Sequence, residues 1–412
     1  MNVRRRSAAA LAAIAVIGAA AAPAVAADPS PSAPTPAGLY GTSDPQYDGV
    51  WRQSLALLAQ HTVGVIPSPK AVDWLTGQQC DNGAFAPFRA DPSKDCDAKV
   101  MVDTNNTAAA IQALAALGGR GDVVEDALTW LKSVQNKDGG WGYAPGGPSD
   151  ANSTSVVIGA LTATGTDPEK VVKGGKSPYD ALLTFALPCG GGDGAGAFAF
   201  QPDKDGKLAA NADATAAGVL GALGKGLVTE PGKAADATCA GGEDPTPAQA
   251  AGNGAAYLAK AVAEDGHLTS ALAGATDQPD YGNTADAVVA LAAQGGTGKA
   301  SKPLNWLKQN SASWAKQSGP AAYAQLIFAA HATGTDPRDF GGTDLVAQLN
   351  ATGPSPQGAA IRDSASASDK DEKKAEDKDG SGFGVWWFVG VCLVFGIGIG
   401  FLLSGRTRKQ QP

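Results

Sequence analysis

The residues in this chain best suited to chemistry are four short polar strings, each preceding an apolar run: Asp103-Thr104-Asn105-Asn106, Asp150-Ala151-Asn152-Ser153, Asn211-Ala212-Asp213 and Asp280-Tyr281-Gly282-Asn283. Carboxylates, amides and hydroxyls can do two things in such a place. At a helix start they accept hydrogen bonds from the free backbone N–H groups of the first turn. Gathered with Tyr323 at one end of several parallel helices, they would line a mouth where residual N–H groups and helix dipoles favour an oxygen-rich or anionic ligand. A cap keeps spare hydrogen-bonding capacity, so one residue can serve both ends. The candidate ligand-binding set is therefore Asp103, Thr104, Asn106, Asp150, Asn152, Asn211, Asp213, Asp280, Tyr281, Asn283 and Tyr323.

No catalytic residue is assigned. There is no GxSxG elbow and no Ser/His/Asp arrangement stands out. There is no CxxC, and the only histidines are His61, His267 and His331, so neither a zinc site nor a cofactor is expected. His331 lies late in an apolar run and reads as a packing residue; His61 and His267 fall near helix ends. Asn105-x-Thr107 and Asn152-x-Thr154 match the glycosylation sequon.

The elements that must position the polar strings repeat along the chain. Five segments share one frame, a polar residue, an apolar run and a closing glycine: Thr107 to Gly118, Thr154 to Gly165, Thr215 to Gly226, Thr284 to Gly295 and Tyr323 to Gly334, with a weaker copy at Gln53 to Gly64. Helices of a second kind lie between them, carrying an aromatic-Leu pair, then Gln or an apolar residue, then glycine: Trp74-Leu75 to Gln79 to Gly83, Trp130-Leu131 to Gln135 to Gly139, and Tyr257-Leu258 to Val262 to Gly266. A helix pair cannot bury its apolar face alone, so neighbours must stack. Six pairs can close into an all-α α6/α6 toroid, one helix set inside and the other outside; an open solenoid is the alternative. Long inserts such as Lys225 to Gln249 are expected as loops at one rim.

Trp130-Leu131-x3-Gln135-x3-Gly139-x-Trp141 resembles the QW repeat of the squalene cyclase and protein prenyltransferase-like toroids, and Trp74 to Phe85 is a second, nearly complete match. The resemblance implies that the phrase is a structural corner, with Gln capping the outer helix and the aromatic wedged under the turn. The acidic DxDD motif of class II terpene cyclases is not matched; the nearest strings are Asp203-Lys-Asp205 and Asp369-Lys-Asp371. The zinc set of the prenyltransferases and the complement-type thioester are also absent. The phrases from Met101 to Leu117 and from Asp280 to Gln294 resemble repeats of the non-catalytic cobalamin carriers, transcobalamin and intrinsic factor. That resemblance implies a corrinoid-like ligand at the ring mouth, although no second, β-rich domain follows.

The ends set the address. Residues 1–26 read as a secretory signal with three arginines, an apolar run and an Ala24-Val25-Ala26 cleavage site, and 27–45 as a Pro/Ser-rich leader. The toroid is expected over 46–352 and a disordered charged linker over 353–382, whose roughly thirty residues span about 30 Å on average. Residues 383–403 carry no charge and read as a transmembrane helix, with Trp386 and Trp387 at one edge and Arg406, Arg408 and Lys409 in a cytoplasmic tail over 404–412. This is a single-pass type I topology in the plasma membrane. Outside the span remain Cys80, Cys96, Cys189 and Cys239, for which sequence proximity favours the pairs Cys80–Cys96 and Cys189–Cys239. A net charge of −8 excludes nucleic acid as a partner. The function expected is extracellular capture of a small oxygen-rich or corrinoid-like ligand for uptake, with a membrane importer or other membrane protein as partner through the span. The alternatives are a terpenoid cyclase or prenyltransferase-like enzyme with an unrecognised acid, and a surface protein-interaction module.

Overall fold

The computed structural model describes residues 36–357, except 191, 234–237, 243, 272–276 and 296. It is helix-rich. Six helices make an inner set: α1 (Gly49–Thr62), α3 (Thr104–Leu117), α5 (Ala151–Ala163), α7 (Ala212–Ala222), α9 (Tyr281–Gly295) and α12 (Pro320–Ala332). Each packs on the next, and α12 packs back on α1, so the set closes on itself. The stretches Ala108-Ala109-Ala110-Ile111 and Ala290-Leu291-Ala292 are wholly buried, as befits helices apolar all round. Small side chains let the inner helices approach closely.

An outer helix leans on each inner one: α2 (Pro69–Gly77) on α1, α4 (Gly121–Ser133) on α3, α6 (Pro178–Leu183) on α5, α8 (Pro247–Ala261) on α7, α10 (Thr297–Asn310) on α9 and α13 (Leu345–Asn350) on α12. A short α11 (Ala312–Ser318) joins α10 to α12. The repeated phrase is a corner, as its resemblance implied. Trp141 is 1% exposed, and its indole Nε1 donates to the Leu131 carbonyl at 2.7 Å. Gln135 Nε2 donates to Gly139 O at 2.8 Å and to Val171 O at 3.0 Å, and Gln79 does the same to Gly83 O and Val123 O. Each glutamine thus ties its own turn to the approach of the next outer helix. Gly139 has φ +89°, and a Cβ there would lie 2.2 Å from the Ser177 carbonyl oxygen, so only glycine fits.

The corner also fixes the inner helices. The backbone N–H groups of Phe85, Trp141, Phe198 and Leu268 donate to the hydroxyls of Thr107, Thr154, Thr215 and Thr284. Those threonines were expected to open the helices, but they sit one turn inside. The openings are the Asp and Asn caps four residues earlier. Two-residue antiparallel ribbons, Phe198–Ala199 with Ala210–Asn211 and Leu268–Thr269 with Pro279–Asp280, lead into α7 and α9.

The ends of the folded body strap the ring shut. Tyr40 is fully buried against Gly353, its hydroxyl donates to Gln60 Oε1 at 3.1 Å, and Gly41 N donates to Thr352 O at 2.9 Å. The body therefore begins before Gln46, within the stretch expected as a leader, and runs to Gln357, past the expected boundary. Arg52, 1% exposed, holds this strap through Tyr40 O and pairs with Asp48 at 2.7 Å. Both disulfides form as proximity suggested, Cys80–Cys96 and Cys189–Cys239, each with Cα atoms 5.5 Å apart. Among the described residues no helix is long and apolar enough to cross a membrane. The expected signal, span, cytoplasmic tail and all but the start of the linker lie outside the described residues.

Candidate functional site

A cavity of about 100 Å³ lies among the inner helices. Every inner helix contributes a wall: α1 Trp51 and Leu55, α3 Asn105 and Gln112, α5 Asn152, α7 Asp213, α9 Asp286, α12 Gln325. Asn152 Nδ2 donates to Asp213 Oδ2 at 2.6 Å. Gln325 Nε2 donates to both oxygens of Asp286, at 3.3 and 3.2 Å. Asn105 is 2% exposed, and neither its amide nitrogen nor its oxygen pairs with a protein group; Asn152 Oδ1 and Ser155 Oγ are in the same position.

Burial dominates the electrostatics. It raises Asp286 to about 7, helped by the like charges of Asp213 and Asp280. Asp213 rises to about 6 for the same reason, with Asn152 opposing and Asp280 adding. Both keep some accessible surface where the cavity meets them. Near neutral pH these carboxyls are therefore poised between acid and base.

Four of the sequence-predicted site residues are helix caps. Asp103 Oδ1 accepts from Asn106 N at 2.7 Å, Asp150 from Ser153 N at 2.6 Å, Asn211 from Ala214 N at 2.8 Å and Asp280 from Asn283 N at 3.0 Å. The Asn106 and Asn283 amides return to the same aspartates. Thr104 N and Ala151 N donate to the carbonyls of Tyr143 and Phe200. These N–H groups, which the sequence reading offered to an anion, are thus already engaged by protein. Burial also raises Asp103 to about 7 and Asp150 to about 6. Only Asn152 and Asp213 of the expected set line the cavity. Asn211, Asp280 and Asn283 line a wider opening of about 400 Å³ beside it, to which Asp213 also belongs. Tyr323 is 5% exposed and packs in the hydrophobic core, because its position one turn into α12 faces neighbouring helices. Tyr281 packs between Trp306, tilted at 5.0 Å, and Trp314, stacked at 5.5 Å. The sequons are closed as well, since Asn105 and Asn152 are buried.

Asn105, Asp286, Gln112 and Gln325 also line the cavity, and none of them stands in the set expected from sequence. The signal was there: Asp286, Gln112 and Gln325 each interrupt an apolar run within a helix, where a buried polar group needs a partner or a purpose. The far end of the cavity is closed by the insert that follows α7. Gly226 passes Gly159 so closely that a Cβ on Gly159 would lie 2.7 Å from the Gly226 Cα. Leu227 N donates to Gln112 Oε1 at 2.8 Å, Glu230 pairs with His331 at 2.7 Å, and Gly232 N donates to Ala292 O at 2.8 Å. Residues 225–232 thus cross from α7 to touch α3, α5, α9 and α12. Of the core or rim place expected for it, His331 takes the rim, as a latch partner at this floor.

No family model matches the chain. Over 86 residues it is 35% identical to the drimenyl diphosphate synthase of Streptantibioticus cattleyicolor, a match spanning 21% of this chain and only 14% of that protein. Among solved structures, it resembles an ent-copalyl diphosphate synthase from Streptomyces platensis (14% identity, 69% of this chain and 50% of that one, TM-score 0.44). A type II terpene cyclase from Scytonema in complex with geranylgeranyl dihydroxybenzoate is similar at 12% identity, 66% and 73% coverage and TM-score 0.40. A sugar epimerase from a ruminal bacterium is similar at 16% identity, 66% and 80% coverage and TM-score 0.42. Structural likeness this remote says nothing of what the chain binds. The cobalamin-carrier resemblance finds no support in these comparisons.

Proposed function

We propose that the helix ring, a toroid of the squalene cyclase-like kind, is a small-molecule receptor that holds its ligand in the axial cavity against Asn105, Asn152, Asp213 and Asp286. Asn105 carries this reading. An amide buried with both ends unpaired costs about 1–3 kcal/mol per group, a cost a ligand in the cavity would remove. The cavity suits a small ligand, or one projecting arm of a larger one, better than an enclosed corrinoid. Two disulfides, the expected signal and the expected span support capture outside the membrane for delivery to a membrane partner. The test is native mass spectrometry of the full chain in detergent after exposure to a small-metabolite extract. A discrete adduct that Asn105→Leu removes is the expected result, and a spectrum without one overturns the reading.

The stretch of similarity to a drimenyl diphosphate synthase, together with Asp286, favours a second reading that the first does not need. A carboxylic acid still half protonated near pH 7 beside the apolar walls of Leu55, Leu220 and Val289 is suited to protonating an alkene and starting a cyclisation. Against it, Trp51 and Phe328 are the only aromatics on the described walls, which leaves little to stabilise a carbocation. Incubation with a panel of polyprenyl diphosphates separates the two. A cyclised product abolished by Asp286→Asn makes the chain an enzyme; an adduct without product leaves it a receptor.

A further inference from the structure

Five carboxyl groups, those of Asp103, Asp150, Asp213, Asp280 and Asp286, belong to the N-terminal halves of the inner helices. Among the described residues none of them forms an ion pair; the pairs present involve other acids. Asp103, Asp150 and Asp280 are compensated as caps by backbone N–H groups. Asp213 and Asp286 are not caps. Asp213 lies past the Asn211 cap, Asp286 is a second-turn residue of α9, and both meet only neutral amides, from Asn152 and Gln325. Two carboxyls so placed, coupled to each other and to Asp280, lack positive charge.

We propose that the ligand of the axial cavity carries a cationic nitrogen, a protonated amine or amidine, on a small apolar body, and that Asp213 and Asp286 receive that nitrogen. The proposal rests on the reading of the cavity as a ligand site. Asn105 supplies the independent observation: a polar side chain, 2% exposed and unpaired, lining the same cavity. Its amide oxygen and that of Asn152 add acceptors for the N–H groups of an ammonium head. Leu55, Val156 and Val289 offer an apolar seat for the body. An anion is disfavoured twice, by the carboxyls and by the prior engagement of the helix N–H groups. Lys225 lines the cavity from its opposite end, where it would repel the same cation and so orients it toward Asp213 and Asp286. A cation seated between carboxyls raised by burial favours their ionised forms, so binding near neutral pH expels a fraction of a proton.

The experiment is titration calorimetry on the full chain in detergent at neutral pH with three isosteric probes: benzylamine, benzyl alcohol and benzoate. Benzylamine should bind about tenfold tighter than benzyl alcohol, and benzoate should not bind. Asp213→Asn and Asp286→Asn, each checked by melting to be folded, should separately abolish that advantage, so that amine and alcohol affinities measured on the same variant converge. Heats in phosphate and in HEPES should differ, through the proton released, with benzylamine alone. Equal affinities for amine and alcohol, or amine binding indifferent to both variants, overturn the amine class; Asn105-dependent alcohol binding would then leave the cavity reading standing. Binding of none of the probes overturns the proposal, and if the metabolite extract also yields no adduct the cavity reading falls with it. Displacement of benzylamine by excess potassium would assign the seat to a metal cation and overturn the amine.

Discussion

At the residue scale, the buried carboxyls make stability depend on pH in an uncommon direction. Asp286 and Asp213 rise from an ordinary 3.8 to about 7 and about 6 on folding, as do Asp103 and Asp150 to about 7 and about 6. The folded chain therefore holds protons that the unfolded chain releases. Their contribution is complete below about pH 4 and is lost as pH rises through 6 to 7. Asp286→Asn keeps the Gln325 hydrogen bond without the charge, so it should stabilise the protein by about 1–3 kcal/mol at pH 8 and by nothing at pH 4. Urea unfolding at the two pH values measures this, and an advantage equal at both would show that the carboxyl is ordinary in the folded state. The caps were legible in the sequence because Asp or Asn before an apolar run has one main local use. Asp286 was harder to read. A lone acid within an apolar helix announces burial, but not what it faces.

At the scale of elements, the corner joins each outer helix to the next. Removing the Gln135 amide breaks two buried hydrogen bonds at once and strands the Gly139 and Val171 carbonyls. Gln135→Ala should cost about 2–4 kcal/mol. Gly139→Ala should cost at least as much, because it forces both φ +89° and a collision with Ser177 O. Both would appear as a lower urea midpoint with an unchanged slope. The glutamine, glycine and aromatic were readable as a phrase. The second bond of each glutamine, to Val123 or Val171, was not, because it spans 44 or 36 residues and depends on how neighbouring repeats stack. The same is true of residues 225–232. Their composition marks a loop, while only the closure of six helices gives that loop a mouth to cross.

For the whole molecule, closure is the expensive step, since α12 must find α1 across nearly the full folded length. The strap at Tyr40 and the two disulfides oppose that entropy. Cys189–Cys239 has a sequence separation of 50 and Cys80–Cys96 one of 16. Loop-closure entropy predicts losses of about 4 and about 3 kcal/mol when each is replaced by a serine pair. The larger loss at the longer loop is the discriminating result in chemical denaturation. Tyr40→Ala should cost about 3–5 kcal/mol by emptying a site packed against Gly353 and unpinning the ends together.

Local chemistry determined much of this protein from sequence alone. Apolar periodicity and caps dictate the helices, the repeated phrase dictates the corners, and the proximity of cysteines anticipates their pairing. Each of these depends on residues a few positions apart, or on a pattern that recurs. What only the tertiary structure decided depends on residues far apart in sequence: the closed ring, the strap of Tyr40 and Gly41 on Thr352 and Gly353, the floor at 225–232, and the meeting of Asn105, Asn152, Asp213, Asp286 and Gln325 around one cavity. Those five residues come from five different helices, and no spacing within a single helix encodes their convergence. The ring brings them together because every inner helix points one face at a common axis.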